Sequence, residues 1–171
     1  MHLCYDAATA MQLTRFTDYS LRVLMHLAYR KDQLCTISEI AASHAISENH
    51  LMKVVHQLAR LGYVETLRGK GGGMRLAGPA EEIRVGAVVR ATEETLAPAD
   101  CLDTARHSDC RLLPSCRLQG VLRDAQRAFL QHLDGYTLRD LLNTRPPPAV
   151  VPLLRLQRSR RPARRPLAAS R

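Results

Sequence analysis

The sequence predicts a mainly α-helical fold with one small β-hairpin, and three observations predict it. Apolar residues recur at helical spacing in successive segments, most of them preceded by a Ser or Thr able to cap a helix. Six of the nine glycines fall between Gly62 and Gly78, between two short runs of strand-forming residues. One long amphipathic run, from Arg117 to Leu133, stands apart from the rest.

Thr17 is the expected N-cap of a first helix over 18–30, with Leu21, Leu24, Met25 and Ala28 on one face. Thr36 and Glu39 form a capping box ahead of Ile37, Ile40 and Ala41, which predicts a short second helix. After a break near Ala45 and Ile46, Ser47 caps a third helix whose apolar positions are Leu51, Val54, Val55 and Leu58 and which Gly62 ends. Two helices joined by a tight turn form a helix-turn-helix candidate. Tyr63 to Leu67 and Met74 to Leu76 then read as strands around the tip Arg68-Gly69-Lys70-Gly71-Gly72-Gly73. Three helices followed by a hairpin give the order of a winged helix-turn-helix.

Residues 85–94 read as a linker helix through Val85, Val88 and Val89, whereas 95–116 show no period and hold three of the five cysteines. From Arg117, the positions Leu118, Val121, Leu122, Ala125, Phe129 and Leu133 predict a long helix with one apolar face, and Thr137 caps a final short helix through Leu142. A long helix leaving a small domain needs a partner for that face, and its copy in a twofold homodimer is the expected one. The organisation is thus an extension at 1–10 without periodicity, with Met11 as an alternative start, a winged helix-turn-helix DNA-binding domain at 11–80, a linker helix, cysteine loop and dimerisation helix at 81–143, and a tail at 144–171.

The 171 residues carry a formal charge of +9, which points toward a polyanion only where the charge lies on folded surface. Most of it does not, because the last 28 residues hold eight arginines, no acid and six of the nine prolines, a composition expected to be disordered. The absence of Trp and the presence of only seven Phe and Tyr residues exclude an aromatic platform for single strands. No apolar run approaches the roughly 18 residues of a membrane span, and the N-terminus lacks a signal-peptide pattern, so a cytoplasmic protein with no membrane partner is expected. Five cysteines, an odd number without an export signal, argue for metal or redox chemistry rather than a disulfide scaffold.

On the third helix Asn49, Lys53, His56 and Arg60 lie opposite the apolar stripe. The first turns of a second helix of this kind meet base edges, which makes Ser47, Asn49, His50 and Lys53 the candidate contacts to double-stranded DNA. A solvated helix also presents a polar outer face; the wing decides between the readings. Arg68 and Lys70, in a glycine frame that includes Gly72, suit a tip laying a cation along phosphates or in a minor groove. The same tip lacks the Gly-Lys-Ser/Thr ending and the following helix N-terminus of a nucleotide cradle.

Cys101, Cys110 and Cys116 fall within 16 unperiodic residues, a spacing unlike the two close pairs of a zinc finger. Three thiolates in a loop suit a thiophilic metal centre, and Cys116 stands where the free N–H groups of a helix N-terminus favour a thiolate. A structural zinc site of three Cys and one Asp or His in a constitutive DNA-binding protein is the rival reading. An enzyme with a cysteine nucleophile is a third, but no pocket motif anchors it and the wing would go unexplained, so the chain is read as not an enzyme. Cys35 reads as buried filler.

Met11-Gln12-Leu13-Thr14, Phe16-Thr17-Asp18-Tyr19, Asn49-His50, Arg68-Gly69-Lys70 with Gly72-Gly73, and Tyr136-Thr137-Leu138 together make the stretch from Met11 to Leu142 resemble the nitric-oxide-sensing NsrR repressors among the bacterial iron-sulfur winged-helix regulators. The resemblance implies a homodimer with one iron-sulfur cluster per subunit, 4Fe-4S rather than 2Fe-2S, on three cysteines matching Cys101, Cys110 and Cys116. It implies a fourth, oxygen ligand from the other subunit, matching Asp18, and an operator released when nitric oxide reacts, so that nitrosative-stress genes are derepressed. Iron or iron-sulfur-status regulation within the same family is the alternative. The cluster-biogenesis regulators place a histidine where this chain has Gln119, and the iron-responsive ones an asparagine where it has Asp18. The longer first cysteine interval, with Asp103, His107 and Asp109, departs from several NsrR sequences.

Overall fold

The computed structural model describes residues 12–31, 33–69, 71–103, 110–113 and 115–142. The expected N-terminal extension and Arg/Pro-rich tail, together with Lys70, His107 and Asp109, lie outside the described residues.

Helix α1 spans Arg15–Arg30 and begins earlier than expected, because Thr14 and not Thr17 is its N-cap: the Thr14 hydroxyl accepts from the Thr17 amide at 3.2 Å. Thr17 is instead buried, and its hydroxyl donates to Thr92 Oγ1 at 2.9 Å. The buried stripe is accordingly rotated, running through Thr17, Ser20, Val23, Leu24, Leu27 and Ala28, with Leu21 and Met25 half-buried at its edge. Helix α2, Ile37–His44, carries the expected reciprocal capping box between Thr36 and Glu39 and ends on Ala45 in the left-handed region. Helix α3, Glu48–Arg60, is capped by Ser47 and buries Leu51, Val54, Val55 and Leu58 as expected.

Strands β1, Val64–Leu67, and β2, Gly73–Leu76, pair antiparallel in the register Val64 to Leu76 through Leu67 to Gly73. The hairpin is fastened to the helices by Cys35, whose amide and carbonyl exchange hydrogen bonds with Met74 at 2.9 and 2.8 Å. Cys35 is fully buried there. Helix α4, Val85–Thr92, is shorter than the expected 85–94 and buries Val85, Val88 and Val89.

Helix α5 runs over Arg117–Asp134, and none of its residues is buried in the single chain. Its N-terminal half leaves Leu118 and Val121 more than half exposed. The chain then turns back. Val85 donates to the Tyr136 carbonyl at 3.0 Å and Leu138 to that of Ile83 at 2.7 Å, which seats Leu138 in the same core as Leu24, Leu51 and Met74. The expected last helix is a single 3-10 turn, Arg139–Leu141, where Thr137 and Asp140 bond each other's amides at 2.8 and 3.3 Å.

Candidate nucleic-acid interface and metal centre

The exposed side of α3 carries Asn49, His50, Lys53, His56 and Arg60, all on the surface, while its other side fills the core. Ser47 is exposed as well, but its hydroxyl already accepts from the His50 amide at 3.4 Å, so its first task is to begin α3. The helix starts where the chain leaves the α2 turn; the capping pattern therefore fixes which residues its first turn presents. Lys53 and His56 also line a cleft with Thr14, Phe16 and Glu93.

In the wing, Arg68 is exposed at the end of β1, and across the strands Arg75 pairs with Glu65 at 2.9 Å. Gly72 acts through its backbone. A Cβ there would stand 2.3 Å from the Leu67 carbonyl oxygen, and the Gly72 amide closes the tip onto Gly69 at 2.9 Å. This close approach holds the backbone of the tip against the end of β1.

Asp18 lies in the first turn of α1, where both its carboxylate oxygens are engaged by Arg22, at 3.0 and 2.9 Å. Cys101 sits in a 3-10 turn, Asp100–Leu102, and Cys116 is the N-cap of α5; both are half-buried, while Cys110 is exposed. The Cys116 side chain makes no capping bond. Gln119, one turn into α5, donates from Nε2 to the Cys101 carbonyl at 3.1 Å and ties the two ends of the loop together. All three are free thiols. Among the described residues no group of three or more His, Cys, Asp or Glu side chains is assembled to hold a metal ion. The donors nevertheless fit an iron-sulfur centre chemically: three unpaired soft thiols, and a carboxylate on a separate helix.

Behind the helix-turn-helix lies a buried polar group unrelated to either surface. His26 Nδ1 and His44 Nε2 are 3.2 Å apart, and burial, with His44 and Arg30 nearby, lowers the His26 pKa to about 4. Burial also pushes the Cys35 thiol up, which agrees with its expected role as filler. Local periodicity could not have revealed the contacts of Glu93, Asp134 or Gln119, whose partners lie 79, 44 and 18 residues away.

A three-helix core with a polar exposed α3 and a hairpin bearing an exposed arginine defines a winged helix-turn-helix DNA-binding protein. The chain belongs to the Rrf2 family, described as iron-dependent transcriptional regulators, whose model matches residues 13–144. It is 51% identical over 136 residues to the HTH-type transcriptional regulator NsrR of Geobacillus kaustophilus, a match covering 79% of this chain and 92% of that one, and 50% identical over 136 residues to the NsrR of Bacillus subtilis, with the same coverage. Among solved structures it is similar to CymR (YrzC), the global cysteine regulator of B. subtilis, with a TM-score of 0.62 at 24% identity over 76% of this chain and 95% of that one. It is also similar to T. potens IscR, with a TM-score of 0.61 at 22% identity over 79% and 88%. These two support the fold. The chain is a transcriptional regulator, and the enzyme reading is set aside. Among the described residues no helix is long and apolar enough to cross a membrane.

Proposed function

We propose that the chain is a cytoplasmic, iron-sulfur-dependent repressor that binds a twofold-symmetric operator as a homodimer and releases it in response to nitric oxide, derepressing nitrosative-stress genes. The observation that carries this reading is the placement of three free thiols on the segment joining α4 to α5, with Cys101 bonded through Gln119 to the helix that Cys116 begins. The names of its half-identical relatives support it. In the dimer the exposed apolar side of α5, with Leu118 and Val121, packs against its copy. Cys101, Cys110 and Cys116 would hold one cluster per subunit, 4Fe-4S in preference to 2Fe-2S, and Asp18 of the other subunit would supply the fourth ligand.

When bound, the cluster supplies iron that reacts with nitric oxide. A carboxylate is a poorer iron ligand than a thiolate, so an iron held by Asp18 would be easier to attack than one held by cysteine. Asp18 also lies on α1, which packs on α3, so its engagement across the dimer biases the spacing of the two recognition helices. Only such a difference in DNA affinity between two states makes a switch. Ser47, Asn49, His50 and Lys53 meet bases and phosphates, while Arg68, Lys70 and Gly72 form the wing contact.

Anaerobically purified protein should be brown, select a palindromic site from random DNA, and lose that site on addition of nitric oxide; Cys101→Ala should neither colour nor respond. A colourless protein that contains zinc and binds DNA equally with and without nitric oxide would overturn the proposal in favour of a structural metal site.

A further inference from the structure

We infer that Glu93 is a positioning residue that couples the two cluster sites of the dimer to each other, an inference that rests on the proposed ligation by Asp18 across the subunits. Glu93 terminates α4, where its own amide still bonds the Val89 carbonyl at 3.0 Å, and stands eight residues ahead of Cys101. Its Oε1 accepts from the Thr14 amide at 2.7 Å and from the Thr14 hydroxyl at 3.2 Å. Thr14 is the N-cap of α1, and its carbonyl in turn accepts from the Asp18 amide at 3.0 Å. Directly beneath, the buried bond from Thr17 to Thr92 joins the same two helix ends a second time. The point where the chain leaves α4 for the cysteine loop and the helical turn that carries Asp18 are therefore one mechanical unit.

A carboxylate at a helix N-terminus is favourable for dipole reasons alone, and in a monomer Glu93 would do no more than that. A dimer with ligation across subunits adds a consequence. The end of α4 from which each subunit's cysteine loop departs is then fastened, through Glu93 and Thr14, to the turn of α1 bearing the Asp18 that the same subunit lends to its partner's centre. The two sites form a closed ring of contacts, in which displacement of one loop withdraws a ligand from the other site. Two arrangements of a shared rigid element, biased by both sites, are what coupling requires. The centres are accordingly lost together, and half-loaded dimers are scarce.

The test is native mass spectrometry of the anaerobic, cluster-loaded dimer titrated with substoichiometric nitric oxide, counting dimers with two, one and no intact centres. The wild type should show fewer half-loaded dimers than independent loss predicts. Glu93→Ala should raise them to the independent proportion, and Glu93→Gln, which keeps an acceptor for Thr14, should stay close to the wild type. A purely capping role would lower the melting temperature of Glu93→Ala but leave that proportion where the wild type has it, which overturns the coupling, as does a wild type that already follows independent statistics. Asp18→Ala separates the two levels of the argument. An unchanged absorption and circular-dichroism spectrum of its loaded centre removes the ligation across subunits and the coupling with it. A changed spectrum alongside an unaltered Glu93→Ala distribution removes the coupling alone.

Discussion

Gly86 on α4 lies so close beneath Asp134, the last residue of α5, that a Cβ at position 86 would stand 2.2 Å from the carboxylate Oδ1 and 3.0 Å from the Asp134 amide nitrogen. The Asp134 carboxylate is held in place by the guanidinium of Arg90, one turn further along α4, which keeps its carboxyl below the usual range. This contact anchors the C-terminal end of the long helix to the linker helix α4.

Gly86→Ala tests that anchor. In an unconstrained helix interior the change would stabilise by about 1 kcal/mol. Here the added methyl meets both a side chain and backbone, and overpacking of this kind costs about 1–3 kcal/mol. The net sign is destabilising, and denaturant unfolding of the cluster-free protein should show it. Asp134→Ala in the same background removes the side-chain part of the clash and should restore part of the loss.

Arg68→Ala and Asn49→Ala are expected to damage DNA binding in different ways. Arg68 is an exposed cation on the wing, and losing a phosphate contact should weaken binding to every sequence and reduce the slope of log K against log salt by about 1. Asn49, in the first turn of α3, should cost about 1–3 kcal/mol on the selected operator and relax preference at one base step. Fluorescence anisotropy at several salt concentrations distinguishes the two. A salt slope unchanged by Arg68→Ala would take the wing off the phosphates.

The reach of the sequence follows from the range of the forces involved. Caps and amphipathic stripes act within a few residues, so the Thr36–Glu39 box, the Ser47 cap and the core face of α3 were all readable in the chain. The start of α1 depends on a contact of longer range. Thr14 and Thr17 are both competent caps, and what decides between them is Thr92, 75 residues away, which draws the Thr17 hydroxyl into the core. The buried face of α1 is likewise rotated from the stripe that bulky residues alone suggest, taking in Thr17, Ser20 and Val23 beside Leu24 and Ala28. The cysteine spacing announced a soft-metal site, but nothing local indicated that Gln119 would hold the Cys101 backbone. Spacing alone names candidate donors in the cysteine loop, but among the described residues of the single chain those side chains are not assembled into a metal-holding group.

His26 predicts a pH dependence of stability. Its folded pKa, lowered to about 4 from an ordinary 6.5 by burial with His44 and Arg30 nearby and Glu39 opposing, means that the folded chain refuses a proton the unfolded chain accepts. Above the ordinary value both states are neutral and no dependence arises. As the pH falls from 6.5 toward 4 stability is lost, by roughly 2–3 kcal/mol in total. His44, also pushed down by burial, adds in the same direction. Urea unfolding of the cluster-free protein across this window should show the slope, and His26→Gln should flatten most of it. An unaltered slope in that variant would place the titration elsewhere.

Cys35 and Cys110 allow one chemical change to separate packing from ligation. Cys35 is fully buried, its backbone bridging to Met74, so Cys35→Ala removes core contacts and should cost about 1 kcal/mol of stability while leaving iron and sulfide content unchanged. Cys110 is exposed, and Cys110→Ala should alter the stability of the cluster-free protein by no more than about 0.5 kcal/mol. Its effect should fall on the metal: iron and acid-labile sulfide drop well below the wild-type content after anaerobic reconstitution, and nitric oxide no longer changes operator affinity. The pair is diagnostic because each variant moves one readout and leaves the other in place. A Cys110→Ala protein that reconstitutes fully would exclude that thiol from the ligand set and leave His107 or a second acid of the loop to complete it.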